Sequence, residues 1–173
     1  MRAIVAIFLI LSITPVMAED VTLDSISASL YFSPKGNCTQ AIVGEIDSAK
    51  KEVLVQAYSF TSAAIAQSLM NAKKRGVSVR VILDKSQSIT QYSVATLLYN
   101  QGIPVFIDSI HTIAHDKIMI VDGRLVITGS FNFTKAAEEK NAENVLIVRS
   151  TELAKLYTTN WNKHLSHSTE YRK

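Results

Sequence analysis

Cysteine is almost absent from this chain of 173 residues, because Cys38 is its one thiol. A single thiol cannot form an internal disulfide, which excludes a small scaffold held together by disulfides. Proline and glycine are scarce too, at three and six residues, and no repeat, linker or low-complexity segment is present. The fold must therefore be held by core packing. Cys38 begins a helical pattern, which predicts a small buried residue.

Charge of either sign is also limited. Asp, Glu, Lys and Arg make up 19% of the chain, and the formal net charge is +3. Both signs are spread along the sequence, which excludes a long charged tail. This mildly basic balance permits a phosphate-rich partner but does not by itself predict one. Hydrophobic residues make up 47%, which suits one globular domain with a sizeable core.

No apolar run is long enough to span a bilayer comfortably, which takes roughly 20 residues. The run from Ala3 to Ile13 (AIVAIFLILSI) follows Arg2 and precedes the small residue Ala18. This order predicts a secretory signal peptide over residues 1–18, cleaved after Ala18. Residues 19–173 would then form a single domain in the periplasm or outside the cell, without stable membrane association. The alternative is an uncleaved N-terminal anchor.

Apolar periodicity predicts alternating strands and helices along the rest of the chain. The predicted strands are 27–32, 53–58, 77–83, 103–107, 117–121, 124–128 and 145–148. The predicted helices are 39–50, a helix capped by Ser62, 88–101, and a last helix that starts at Ser150 or Thr151. Together they indicate an α/β fold with a mixed, mostly parallel β-sheet of about seven strands, flanked by helices on both faces.

Polar side chains stand at the start of one apolar strand. His115 and Lys117 are two residues apart, so they share a face, roughly 7 Å apart along the strand. The strand ends at Asp122 and Gly123, a dipeptide that predicts a two-residue hairpin turn. A turn of this length pairs His115 with Ser130 on the next strand and Lys117 with Thr128. A longer loop would shift that register.

The face predicted in this way suits phosphoryl chemistry. An imidazole such as that of His115 can attack phosphorus and form a covalent intermediate. Lys117 and Asn132, which faces the same way if the chain stays extended, can stabilise the charge on non-bridging oxygens. Asp122 has the opposite parity and is predicted to support the site or balance its charge, without contacting the substrate.

These residues carry a resemblance to a known family. The segment from His115 to Asp122 (HDKIMIVD) resembles the His-x-Lys-x4-Asp signature of the phospholipase D superfamily. The segment from Gly129 to Asn132 (GSFN) matches the Gly-Ser-x-Asn that follows it there, and Glu143 falls where members carry an acidic residue. The likeness is to the small bacterial nuclease branch, which includes the EDTA-resistant endonucleases.

The resemblance implies a role for each residue. His115 is expected to be the nucleophile, and Glu143 is expected to hold the distal imidazole nitrogen and so fix the tautomer. The expected catalytic residues are His115, Lys117, Asp122 and Glu143, and the expected phosphate-binding residues are Lys117, Ser130 and Asn132. The resemblance to nucleases implies cleavage of DNA, with RNA as a further candidate substrate. No base-reading motif is visible, so we expect no sequence specificity.

The family usually carries this motif twice in one chain, whereas this chain carries it once. The resemblance therefore implies a homodimer in which two half-sites meet. The main alternative is a phospholipase D-type lipid phosphodiesterase or phosphatidyltransferase, although such enzymes generally have two motifs and extra loops. A further alternative is a protein that keeps the fold and binds nucleic acid without cleaving it.

The spacing of His111 and His115 invites a metal interpretation, but a strand would separate them by about 13 Å. No Cys or well-spaced third ligand lies near them in sequence. We therefore expect no metal site and no cofactor. His111 is predicted to be a loop residue, and His164 and His167 are predicted to be solvated near the end of the chain. Phe131 and Phe133 are expected to be core residues.

Overall fold

The computed structural model describes residues 26–88 and 94–172, so the predicted signal peptide lies outside the described residues. The strands are β1 (Ser27–Ser33), β2 (Glu52–Ala57), β3 (Ser78–Asp84), β4 (Val105–Asp108), β5 (Lys117–Val121), β6 (Leu125–Gly129), β7 (Glu143–Arg149) and β8 (Thr169–Glu170). The α-helices are α1 (Cys38–Ser48), α2 (Ala63–Lys74), α3 (Ala95–Asn100), α4 (Lys135–Glu139) and α5 (Thr151–His167). A 3-10 helix spans Lys85–Ser88. Among the described helices, none combines the length and apolar character needed to cross a membrane.

Local sequence explains where the main helices begin. The hydroxyl of Ser62 accepts a hydrogen bond from the backbone N–H of Ile65 at 3.4 Å and caps α2. Ser150 caps α5 in the same way, accepting from Leu153 N–H at 3.1 Å. Both starts were predicted. The short helix α4 and strand β8 were not, because five and two residues are too few to show a period.

The described strands form one sheet in the order β1-β7-β6-β5-β2-β3-β4-β8. The α/β class is confirmed, but the prediction of a mostly parallel sheet is wrong. Only β2/β3 and β3/β4 are parallel, and the other described neighbours are antiparallel. A parallel neighbour requires a crossover, which α2 and α3 supply. No helix lies between β4 and β5, so β5 enters the sheet antiparallel to β2.

Helices cover both faces of the sheet, as predicted, but unequally. Because strand side chains alternate, Val55 and Met119 face the larger core, which also contains buried residues of α1 to α4. Leu54 and Ile120 face the smaller core, which α5 covers with Trp161. The indole N–H of Trp161 donates to the carbonyl of Val55 at 3.0 Å, so burial leaves this donor satisfied.

The β5–β6 hairpin has a three-residue loop, so the predicted register is wrong by one residue. Val121 pairs with Leu125, and Met119 pairs with Ile127. Continued along the hairpin, this register places Lys117 opposite Gly129 and not Thr128. The two-residue turn fails because Arg124 joins the loop, and both Asp122 (φ 54°) and Gly123 (φ 63°) are left-handed.

Near the end of the chain, the prediction that His164 and His167 are solvated is also wrong. They lie in the last turn of α5, and both contact the carboxylate of the fully buried Asp108 on β4. Strand β8 pairs with β4 and keeps the residues after α5 against the sheet. The prediction failed because Asp108 is more than fifty residues away in sequence, and the spacing of residues within a helix cannot predict such a contact.

Candidate active site

Lys117 begins β5 and is almost fully buried, at 6% exposure. It pairs with Ala57 at the end of β2. Its ammonium donates to the carbonyl of His115 at 2.8 Å and lies 5.2 Å from the centre of the Tyr58 ring. Burial lowers the Lys117 pKa, while the nearby charges of Asp116 and Glu143 act in the opposite direction. The ammonium is thus partly desolvated and has donors left for an anion.

His115 is exposed, in contrast to Lys117. Within the described residues its ring has no hydrogen-bond partner, and it packs against Tyr58 with the ring centroids 4.6 Å apart. Between the two motif residues, Asp116 accepts a hydrogen bond from the amide of the buried Gln56 at 2.9 Å. The backbone N–H of Tyr58 also donates to Asp116 O, at 2.8 Å. These contacts fix the strand entry and leave the imidazole open to solvent.

Gly129 ends β6 at a point where no other residue fits. Its φ is +145°, and a Cβ there would lie 2.2 Å from the backbone oxygen of Asn144 on β7. The next residue, Ser130, accepts hydrogen bonds from the backbone N–H of Asn144 at 3.1 Å and from its side-chain amide at 3.3 Å. Ser130 is therefore held by β7, and its hydroxyl fixes where the following segment leaves the sheet.

Asn132 lies on that segment, beside the end of β2. The backbone N–H of Phe133 donates to Ser59 O at 3.1 Å, which places the segment next to Tyr58. The Asn132 side-chain oxygen is buried and has no hydrogen-bond partner among the residues that the structure describes. An unsatisfied buried oxygen of this kind costs roughly 1–3 kcal/mol, and such costs recur at functional sites. Phe131 and Phe133 are core residues, as predicted.

Glu143 begins β7 and accepts a hydrogen bond from the side-chain amide of Asn141 at 3.1 Å. Its charge partly opposes the lowering of the Lys117 pKa that burial causes. Within the described residues the carboxylate has no hydrogen bond to His115. Its expected bond to the distal imidazole nitrogen therefore stays a prediction.

Asp122 lies at the opposite end of β5, away from the other five predicted residues. Its carboxylate accepts hydrogen bonds from the backbone N–H groups of Lys50, Lys51 and Glu52, between 2.7 and 3.2 Å. Burial alone would raise the Asp122 pKa, but these bonds and the charge of Arg124 bring it below its usual value. The structure thus brings together five of the predicted residues, and it places the sixth where it fastens the loop between α1 and β2.

Sequence reasoning missed Tyr58 and Gln56. Tyr58 contacts both His115 and Lys117, and Gln56 holds Asp116. A signal for Gln56 was present, since one amide in the buried strand Glu52–Ala57 (EVLVQA) needs a polar partner. Tyr58 had no such signal, because its partners are distant in sequence.

Comparison with known proteins places this arrangement in a family. Residues 42–165 match the family described as cardiolipin synthase, PLD-like domain. A phospholipase D of Rickettsia conorii is 45% identical over 133 residues, which cover 77% of this chain. A mitochondrial cardiolipin hydrolase of Xenopus laevis is 33% identical over 136 residues, covering 72% of this chain and 64% of that protein. The chain spans 66% of the length of the Rickettsia protein.

Solved structures agree with the family match. The phospholipase D family member Nuc from Salmonella typhimurium superposes with a TM-score of 0.81 at 40% identity, covering 86% of this chain and 99% of that one. NucT from Helicobacter pylori superposes with a TM-score of 0.78 at 24% identity, covering 84% of this chain and 99% of that one, and shows the fold alone. The fold of the described residues is thus similar to the folds of Nuc and NucT.

Proposed function

The chain belongs to the phospholipase D superfamily of phosphodiesterases. We propose that it is an endonuclease that hydrolyses the phosphodiester bonds of DNA, with RNA as a second substrate to be tested. The observation that carries the proposal is the exposed imidazole of His115, which has no hydrogen bond to any residue that the structure describes, beside the buried ammonium of Lys117. A nucleophile needs access to phosphorus, and a desolvated cation stabilises charge more strongly than a hydrated one.

The proposed reaction has two displacements at phosphorus. A ring nitrogen of His115 attacks, a nitrogen–phosphorus bond forms, and the bond to one ester oxygen breaks as that oxygen takes a proton. Water then attacks the phosphohistidine and gives a proton to the group that protonated the leaving oxygen, the nitrogen–phosphorus bond breaks, and the imidazole is restored. Lys117 and Asn132 hold the non-bridging oxygens. A rapid denaturing quench at alkaline pH, at which phosphohistidine survives, should trap the labelled 5′- or 3′-phosphoryl group of the substrate on His115, and an enzyme that carries no label throughout turnover would contradict this scheme.

We propose that neither displacement requires a metal, because His115 supplies the nucleophile and Lys117 supplies positive charge. Cleavage at 25 °C should therefore persist in excess EDTA. Activity that disappears on chelation and returns with Mg²⁺ would make a bound cation part of the reaction.

The leaving oxygen needs an acid, and a second imidazole near its reference pKa of about 6.5 could supply the proton. With one motif per chain, that imidazole would come from a twofold-related copy, so we propose a homodimer with one shared site. The exposed apolar side chains Phe32, Ile110 and Ile113 support this. Phe32 pairs with Asn144, which holds Ser130, and Ile113 lies two residues before His115.

Mixed dimers test the shared site. Phosphate labelling should saturate near half a phosphate per chain, because a shared site would attack one phosphodiester at a time. Excess His115→Ala protein should inhibit the wild type once subunits exchange. Labelling of one phosphate per chain, or a fully active monomer, would contradict sharing.

A lipid substrate is the second candidate, because the relatives that match include proteins named phospholipase D and mitochondrial cardiolipin hydrolase. The likeness to Nuc, which extends over almost its whole chain, supports placing this protein with the small members of the superfamily. Plasmid nicking should be compared with hydrolysis of phosphatidylcholine and cardiolipin vesicles, with His115→Ala as the matched blank. Turnover of lipid without nicking would favour the second candidate.

We also propose export to the periplasm or the medium, from the order of charge, apolar run and small residue over residues 1–18. Intact-mass measurement of protein from the periplasm should show a chain that starts at Glu19. Full-length chain in the membrane fraction would indicate an anchor.

A further inference from the structure

Four side chains of metal-binding type converge at a point that includes none of the predicted active-site residues. Asp108 ends β4, His111 lies in the loop that follows, and His164 and His167 lie in the last turn of α5. One ligand-type atom from each lies within 4.8 Å of all the others. Ligand-type side chains near His111 could not be found from its sequence neighbours, because two of them come from a helix more than fifty residues away.

All three imidazoles point at one carboxylate. Oδ2 of Asp108 lies 2.8 Å from Nδ1 of His164, 3.1 Å from Nδ1 of His111 and 3.3 Å from Nε2 of His167. The Asp108 side chain is fully buried, and the side chains of His164 and His167 are 15% and 22% exposed. The four side chains therefore form a compact group that is partly shielded from water, unlike histidines that are scattered over an exposed surface.

The donor set has the composition that a particular class of cation prefers. Three neutral imidazoles and one carboxylate offer three nitrogen ligands, one oxygen ligand and a single negative charge. Zn²⁺ takes four such ligands in a tetrahedron, and bonds of about 2.0–2.1 Å put ligand atoms roughly 3.3 Å apart. The three contacts to Asp108, between 2.8 and 3.3 Å, lie within about 0.5 Å of this spacing. The other distances between ligand atoms are up to 4.8 Å, and a shift of His111, whose side chain is 43% exposed, would shorten those that involve it.

We propose that Asp108, His111, His164 and His167 form a binding site for a divalent transition-metal ion, with Zn²⁺ the best fit. Four protein ligands leave no open position, which is typical of a structural site and not of a catalytic one. His115 is not a ligand, so this inference is independent of the proposed metal-free reaction.

The site would position the loop that leads to the nucleophile. Residues 109–116 connect β4 to β5 without a helix, and His111 lies four residues before His115. The same loop is held by Asp84, which accepts from the Ala114 N–H at 2.8 Å, and by Lys85, whose ammonium donates to His111 O at 3.0 Å. A metal ion would add a bond between this loop and α5.

Zinc titration of the full chain, purified without a polyhistidine tag and stripped by chelation, tests the proposal. Calorimetry should give one Zn²⁺ per chain. At about 100 times Kd, the Tm should rise by about 5–10 °C. X-ray absorption of the zinc complex should show imidazole nitrogens and one oxygen near 2.0 Å. Mg²⁺ should leave the Tm unchanged.

Variants locate the site. The His164→Ala/His167→Ala double variant should lose the zinc-dependent rise in Tm, while His115→Ala should keep it. If the double variant does not fold, His111→Asn at the more exposed ligand should lower zinc affinity at least tenfold. Stoichiometric binding that survives these changes, or no saturable binding to the wild type, would overturn the site. Cleavage in EDTA is measured separately at 25 °C, so failure of the nuclease proposal and failure of the zinc site are distinguishable.

Discussion

Strand β5 has two polar ends that belong to one sequence motif, and their surroundings differ. At the first end, His115 has no hydrogen-bond partner among the described residues, and Lys117 is buried as a cation. At the other end, Asp122 is satisfied by three backbone N–H groups. Polar groups that lack partners in the folded chain are available for a substrate, whereas groups that are fully bonded stabilise the fold. The comparison predicts that substitutions at the first end change activity and substitutions at the other end change stability.

The largest effect is expected from His115→Ala. Loss of the nucleophile should lower kcat by about 10⁴-fold or more, as for other nucleophile deletions. Because the side chain is exposed, the free energy of unfolding should change by no more than about 0.5 kcal/mol. Cleavage kinetics and thermal unfolding measure the two effects. If the variant kept a tenth of the wild-type activity, His115 would not be the nucleophile.

Lys117→Met should lower kcat by about 10²–10³-fold, the usual cost of losing one charge-stabilising donor. The folded protein should be no less stable at pH 7, because burial lowers the Lys117 pKa and the charged form is therefore disfavoured by folding. The wild type should gain stability relative to the variant as the pH rises from the folded pKa towards about 10.4. Lys74→Met, an exposed change on α2, is the control and should alter neither quantity.

Glu143→Gln should slow phosphoenzyme formation by about 10- to 100-fold, as loss of a group that orients another group does. Substrate affinity should stay nearly unchanged, because the predicted role acts through His115. Single-turnover kinetics separate the two quantities. Glu139→Gln, on the exposed side of α4, is the matched control. A large loss of affinity with unchanged chemistry would instead assign Glu143 to substrate binding.

Asp122→Asn should lower the free energy of unfolding by about 1–2 kcal/mol, since charge-assisted bonds to three backbone N–H groups are weakened. Activity per folded molecule should stay within about twofold. The folded pKa of Asp122 lies below its unfolded value of about 3.9, so the ionised form stabilises the fold above that pH. The difference between wild type and variant should shrink as the pH falls below about 4. Urea unfolding at pH 7 and pH 3 measures it, and a pH-independent difference would contradict the role of the charge.

Much of the site could be predicted because it follows from short spacings. Lys117 follows His115 by two residues, and an apolar strand carries both towards the hairpin, so their proximity is local geometry. The hairpin register could not be predicted from the Asp-Gly dipeptide, because Arg124 joins the loop and shifts every later pair. The prediction of mostly parallel strands failed at β5, where no helix supplies a crossover.

The sequence by itself determined the apolar strands, the serine caps of α2 and α5, and the motif from His115 to Lys117. These depend on residues a few positions apart, whose relative placement the backbone dihedrals restrict. Only the tertiary structure decided that Tyr58 packs on His115, that Asp122 fastens the loop between α1 and β2, and that two histidines of α5 meet Asp108. Such contacts join residues between about fifty and seventy positions apart, and they form only when the sheet order brings distant segments together.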